Sequence, residues 1–300
     1  MVRRLGVMYI IFNRKVWFPG GGWRVYCKQK PRGCVAPGDG GLRHPHDDHV
    51  HFSFTWKGAM KRATFWSPPR SMIAGVTQHP GSLGHWSVAG NGAVFPDGTS
   101  YYGSKAETWL KRPVVGMAST PSGGGYWLLR SDGRVMAFGD AVGKGSVKGR
   151  NTRVVGMSST ASSRGYWIVT RSGRVLSFGN AEGHGGARSA GATMTGIAAT
   201  PTGLGYWLFP TDGRVFAFGD ATHHGDAKNS RIAAGDNHGT DGYWLVTEKG
   251  RVRAFGSASS LGDVAGRKLG SPIVGFAATP SGEGYVIVTA KGRTFSFGDA

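Results

Sequence analysis

A unit of about forty residues recurs along most of this chain, and its spacing limits the possible folds more than any other feature does. The stretch "VVGMASTPSGGGYWLLRSDGRVMAFGDA" fills residues 114–141; it is echoed by "VVGMSSTASSRGYWIVTRSGRVLSFGNA" from Val154 and by "MTGIAATPTGLGYWLFPTDGRVFAFGDA" from Met194. Taking the glycine of the first strand as a ruler, the units fall at Gly75, Gly116, Gly156, Gly196, Gly235 and Gly275, with gaps of 41, 40, 40, 39 and 40. There are six copies, of which the first, "IAGVTQHPGSLGHWSVAGNGAVFPDG", is the most diverged.

Each copy shares one physical plan. A short strand such as 114–119 runs into a Pro/Ser/Gly turn, then into a strand of aromatic and aliphatic residues, Tyr126 to Leu129, suited to a packed pleated surface. Asp132-Gly133 supplies a tight hairpin, and glycine returns to that slot at Gly173, Gly213, Gly250 and Gly292. A third strand from Arg134 to Phe138 ends at "FGDA", and the Gly-rich "VGKGSV" leaves room for a short fourth. Four short antiparallel strands per forty residues, six times over, predict an all-β chain whose residues 67–300 form a six-bladed β-propeller. An open stack of hairpins is the competing architecture, but it would need atypical polar caps. The high glycine content, 52 of 300, fits many tight turns. The sixth unit stops at Ala300, after its third strand, so its outer strand is expected either from the preceding "MKRATFWS" or not at all.

The recurring Trp127, Trp167, Trp207 and Trp244 sit at one slot of the most apolar strand. Packing between blades is the expected role, rather than stacking on sugars. Asp140, Asp220 and Asp299, with Asn180 and Ser257 at equivalent places, are expected to accept hydrogen bonds within turns. No dense Asp/Asn pattern surrounds them that would hold calcium. The repeats therefore read as a scaffold without a catalytic group.

The formal net charge of +19 favours polyanionic partners. The basic residues are scattered along the chain, and no helix-turn-helix, Cys/His finger or aromatic RNA-binding signature accompanies them, which argues against specific nucleic-acid recognition. No apolar run of about 18 residues exists to cross a membrane as a helix. "MVRRLGVMYIIFNRKVWF" has the order of a secretory signal but no small-residue cleavage site, and it reads as two strands joined by a turn at Asn13-Arg14. Cys27 and Cys34 are the only cysteines, spaced for either a local disulfide or two thiols.

One short stretch, "HPHDDHVHFSF" at residues 44–54, carries chemistry. On a strand His49 and His51 share a face, and imidazole is a good zinc ligand. The pattern His46-x-x-His49-x-His51 resembles the second half of the active-site signature of LAS-type zinc peptidases, the murein endopeptidases and D-Ala-D-Ala carboxypeptidases. The resemblance covers residues 1–66 and implies a truncated β-rich segment of an α+β family, with His51 as zinc ligand and His46 and His49 as catalytic histidines. Those enzymes take two further ligands from an upstream His-x6-Asp, and this sequence has none: no histidine precedes His44. The expectation is a remnant of a zinc-dependent (Zn2+) peptidoglycan peptidase, inactive alone, or a domain whose missing half lies upstream of Met1. The repeats in turn resemble "GYW...DGxVxAFGDA" units of actinobacterial secreted and surface proteins. That resemblance implies an extracellular or cell-wall module that binds peptidoglycan, an anionic wall polymer or a protein partner.

Overall fold

The computed structural model describes residues 72–106, 110–147, 152–239 and 241–300, and the backbone of four strands nearer the N-terminus. The chain divides into two compact units, Met1–Arg70 and Ser71–Ala300. In the first unit, β1 (Val7–Phe12), β2 (Lys15–Phe18), β3 (Gly22–Val25) and β4 (His51–Phe54) form one antiparallel sheet in the order β3-β2-β1-β4. β1 and β2 lie on either side of Asn13-Arg14, as the sequence predicts. Cys27, Cys34, His46, His49 and the proposed closing strand "MKRATFWS" lie outside the described residues.

The second unit is six small antiparallel sheets, one per repeat. Their inner strands are β5 (Ile73–Gln78), β8 (Val114–Ser119), β11 (Val154–Ser159), β14 (Met194–Ala199), β17 (Ile232–Asn237) and β20 (Ile273–Ala278). Each pairs with a middle strand: β6 (His85–Ala89), β9 (Gly125–Arg130), β12 (Gly165–Thr170), β15 (Gly205–Pro210), β18 (Gly242–Thr247) or β21 (Gly284–Thr289). The outer strands are β7 (Val94–Asp97), β10 (Val135–Gly139), β13 (Val175–Gly179), β16 (Phe216–Gly219), β19 (Val252–Gly256) and β22 (Thr294–Gly298). Among the described residues every blade therefore has three strands, not the four expected from the repeat length.

Residues 141–147 show why the fourth fails to form. They occupy the place beyond β10, but they are held at single points by different elements. Val147 N–H bonds Gly133 O at 3.0 Å, Val135 N–H bonds Ser146 Oγ at 3.1 Å, and Trp127 Nε1–H bonds Val142 O at 3.0 Å. Gly145, at φ +139°, breaks the extended run that a ladder requires.

The ring closes. Each inner strand packs against the next, and β20 packs against β5 as the others do. The closing seam repeats an internal bond: Ile73 N–H donates to Ala290 O, just as Val114 N–H donates to Gly90 O and Ile232 N–H to Thr211 O. Among the described residues the last blade has three strands like the other five, and the segment expected to complete it lies outside them.

The middle strands are buried along their whole length and carry the core. The four tryptophans named above, and Trp86 with them, are fully buried between blades. Each indole N–H finds a carbonyl in the segment after its own blade, at 2.6–3.0 Å. The second residue of the middle strand is a buried tyrosine in the last five blades, and its hydroxyl donates to a glycine carbonyl of the preceding linker: Tyr126 to Gly103, Tyr166 to Gly145, Tyr206 to Gly185, Tyr243 to Gly225, Tyr285 to Gly262. Burial of the ring pushes the Tyr126 and Tyr243 hydroxyls up to about 12, so they act as donors across the physiological range. Tryptophan thus ties a blade to the linker after it, and tyrosine ties it to the linker before it.

Register corrects one detail. Gly116 pairs with Leu129 and Met117 with Leu128, whereas in the fifth blade Ala234 pairs with Val246 and Gly235 with Leu245. Gly235 therefore occupies the apolar slot of Met117, and Ala234 is the true equivalent of the ruler glycine. The empty slot is filled by its own blade and the preceding one: a Cβ at Gly235 would meet Leu245 Cδ2 at 2.7 Å and Phe209 Cδ2 at 3.1 Å. Phe209 is larger than the Leu129 and Val169 at its place in earlier blades, and the missing side chain at Gly235 accommodates it.

Candidate functional site

The six inner strands surround an axial channel, whose mouth beyond Ser119 and its equivalents holds a cavity of about 550 Å³. Neighbouring inner strands do not form backbone ladders with one another, so polar side chains stitch the seams. Thr77 Oγ1 bonds Ser119 Oγ at 3.4 Å, Ser159 Oγ donates to Ser119 O at 3.2 Å, and Ala199 N–H donates to Ser158 Oγ at 3.0 Å. Asn237 Nδ2 donates to Ala199 O at 2.8 Å, and Ala278 N–H donates to Asp236 Oδ2 at 3.0 Å. Asp236 stands where other blades carry Thr, Ala or Ser. Removal of its carboxyl from bulk water raises its pKa to about 6, against the opposing effect of the two backbone N–H groups it accepts.

At the same end of the ring lie the "GDA" turns. Thr120 Oγ1 and Ser122 Oγ donate to the two oxygens of Asp140, at 2.9 and 2.5 Å. Thr200 and Thr202 hold Asp220, and Thr279 and Ser281 hold Asp299, in the same way. In the fifth blade His238 Nδ1 and Ser257 Oγ take the two places at 3.0 Å. These carboxylates are turn acceptors, as the sequence predicts, and they leave this end bearing Asp97, Asp140, Asp220, Asp241, Glu283 and Asp299 at the surface.

The opposite end, where the middle strands turn into the outer ones, is basic. Arginine comes directly after the hairpin glycine in five of six blades, as Arg134, Arg174, Arg214, Arg251 and Arg293, each exposed or half-exposed. Arg112, Arg153, Arg171 and Arg231 join them from the adjoining turns and strand entries. Some of this charge is neutralised locally. Arg130 pairs with Asp132 at 2.6 Å, Arg214 with Asp212 at 2.7 Å, and Arg231 with Glu248 at 3.0 Å. The hydrogen bond from Arg214 holds the Asp212 carboxyl below its usual pKa. The sequence hides this face, because a forty-residue period scatters along the chain what the ring gathers at one end. The Gly-Arg recurring in five of the six hairpins is the signal that reveals it.

Of the zinc-peptidase histidines, His46 and His49 lie outside the described residues. His51 opens β4, where its backbone is paired opposite Ile11 of β1. Among the described residues no group of three His, Cys, Asp or Glu side chains converges.

Six antiparallel sheets in a closed ring make this chain a six-bladed β-propeller with a channel and two oppositely charged ends. No protein-family model and no curated protein matches it. Among solved structures it is similar to the β-propeller domain of Myceliophteria thermophila Cps50 (Swd1), with a TM-score of 0.51 and 11% identity over 76% of this chain and 83% of that one. At that identity the likeness is one of fold. Among the described residues no helix is long and apolar enough to cross a membrane.

Proposed function

We propose that this chain is an extracellular or cell-wall-associated scaffold whose propeller binds an anionic wall polymer through its arginine end. The observation that carries the reading is the arginine after the hairpin glycine, repeated in five of six blades and gathered at one end of a chain of net charge +19. A flexible polyanion can touch several such arginines at once, each contact weak and the sum strong. The carboxylates at the other end disfavour binding there, so the polymer engages a single face.

Sedimentation of the full chain with isolated cell walls tests the reading. Binding at about 50 mM salt and release by about 200 mM salt is the expected result, since each neutralised anionic group frees counterions. No retention at the lower salt overturns it. Salt-insensitive retention indicates the competing occupant, a protein partner.

In the same proposal residues 1–66 are the remnant of a zinc-dependent peptidoglycan peptidase, with His46 and His49 in the catalytic places and His51 as the surviving ligand. The support is the sequence pattern alone. Zinc content of the purified chain beside a His51→Ala variant decides it. Only trace zinc in both agrees with a remnant. About one zinc per chain, lost on substitution, favours an active hydrolase.

A further inference from the structure

We propose that the third blade carries a specific seat for a phosphoryl-type oxyanion at the basic end of the ring. This deepens, and rests on, the reading of that end as a polyanion-binding face. Arg153 at the entry to β11, Arg171 and Arg174 of the β12–β13 hairpin, and Arg188 of the linker after β13 line one cavity of about 570 Å³. No carboxylate lines it, and among the described residues none of the four guanidinium groups is paired with an acid.

What singles out this blade is four arginines around one cavity with no aspartate in the hairpin slot, which along the ring holds Asn91, Asp132, Ser172, Asp212, Lys249 and Lys291. In the blades on either side the hairpin begins with an aspartate, Asp132 or Asp212, which binds an arginine of its own turn. In the third blade that position is Ser172, whose hydroxyl is engaged with Thr170 Oγ1 at 3.2 Å. The internal counter-ion is missing where the arginines are densest.

Four unpaired guanidinium groups around one cavity repel one another, and a bound anion relieves that repulsion. The planar forks fit oxyanions by paired N–H donation. A carboxylate offers two acceptor oxygens and a phosphoryl group three, so several converging forks are better satisfied by phosphoryl. The cavity has the size of a small-molecule site and is larger than one phosphoryl group, which suits a short run of linked ones.

Calorimetric titration of the full chain with inorganic tripolyphosphate at about 50 mM salt tests the seat. Replacing Arg171 and Arg174 together by glutamine should weaken binding at least about tenfold, because hydrogen bonds to charged groups are each worth roughly that factor. The charge-matched R164Q/R253Q variant, at two exposed arginines outside the basic face, should bind like the parent. Ser172→Asp, which removes no arginine but restores the aspartate of the flanking blades, should weaken binding to a similar degree. Equal losses in the two arginine pairs, unchanged binding in Ser172→Asp, or no binding by the parent each overturn the seat. Citrate binding as tightly as tripolyphosphate overturns the phosphoryl assignment. Wall sedimentation of the same variants separates the two levels: if the seat fails while salt-sensitive wall retention persists, the broader reading stands without it.

Discussion

Tyrosine 206 illustrates how each repeat holds its neighbours. Its ring packs on Trp167 of the preceding blade at 5.4 Å, and its hydroxyl reaches Gly185 O at 2.7 Å. Removing the hydroxyl alone, by Tyr206→Phe, leaves Gly185 O without this donor inside the fold and should cost about 1–2 kcal/mol in chemical unfolding. Asp236 gives a pH signature instead. Its folded pKa of about 6 lies above the ordinary value near 3.9, so the folded state binds the proton first. That contribution to stability is full below the unfolded value and is lost as pH rises through about 6. Stability of the parent should therefore fall between about pH 4 and about pH 6.5, and Asp236→Asn should flatten that slope whatever its absolute stability. An unchanged slope would locate the proton elsewhere. At this scale the sequence was legible where a residue's role is local or repeated, as with the core tryptophans and the turn aspartates. It was silent on Asp236, whose character comes from the other blades around it.

Among the elements, the hairpin between middle and outer strands is the most constrained. Gly213 has φ +87°, and a Cβ there would lie 2.2 Å from Ala227 O, a backbone atom that cannot step aside. Gly213→Ala should destabilise by about 2–4 kcal/mol, combining a disfavoured φ with a backbone clash. A loss below about 0.5 kcal/mol would contradict the described turn. The glycine at this slot was readable because Asp-Gly between two apolar runs has a geometric reason. The fourth strand was misread for a related reason: length and glycine content cannot distinguish a paired edge strand from a linker pinned by one indole and one hydroxyl. The Gly235 ruler slipped by one residue because spacing sees glycines, whereas register is set by which side chains fit, here Phe209 against an empty slot.

For the ring as a whole, the seam between last and first blades differs from the rest. Internal seams pair a tryptophan with the next blade's tyrosine, at ring separations of 5.3–5.8 Å. At the closing seam the tryptophan slot holds Val286 and the tyrosine slot His85, and the cluster there is built from Ile73, Ala89, Ala93 and Val288. Each aromatic pair contributes about 0.5–1.5 kcal/mol beyond its burial, so this seam opens first. Native-state hydrogen exchange should find the Ile73 amide less protected than its seam equivalents Val114 and Ile232. Equal protection would mean that the ring opens without a preferred seam. Closure itself was expected from six equal units, yet the charged ends were not, since they exist only once the ring is formed.

The central claim is that the arginine end, rather than total charge, does the binding. The most direct test compares wall sedimentation at about 50 mM salt for the parent, for an R134Q/R174Q/R251Q/R293Q variant, and for one losing four lysines or arginines elsewhere on the surface. The first variant should be released from the walls and the second retained. Equal retention of the two would contradict the claim.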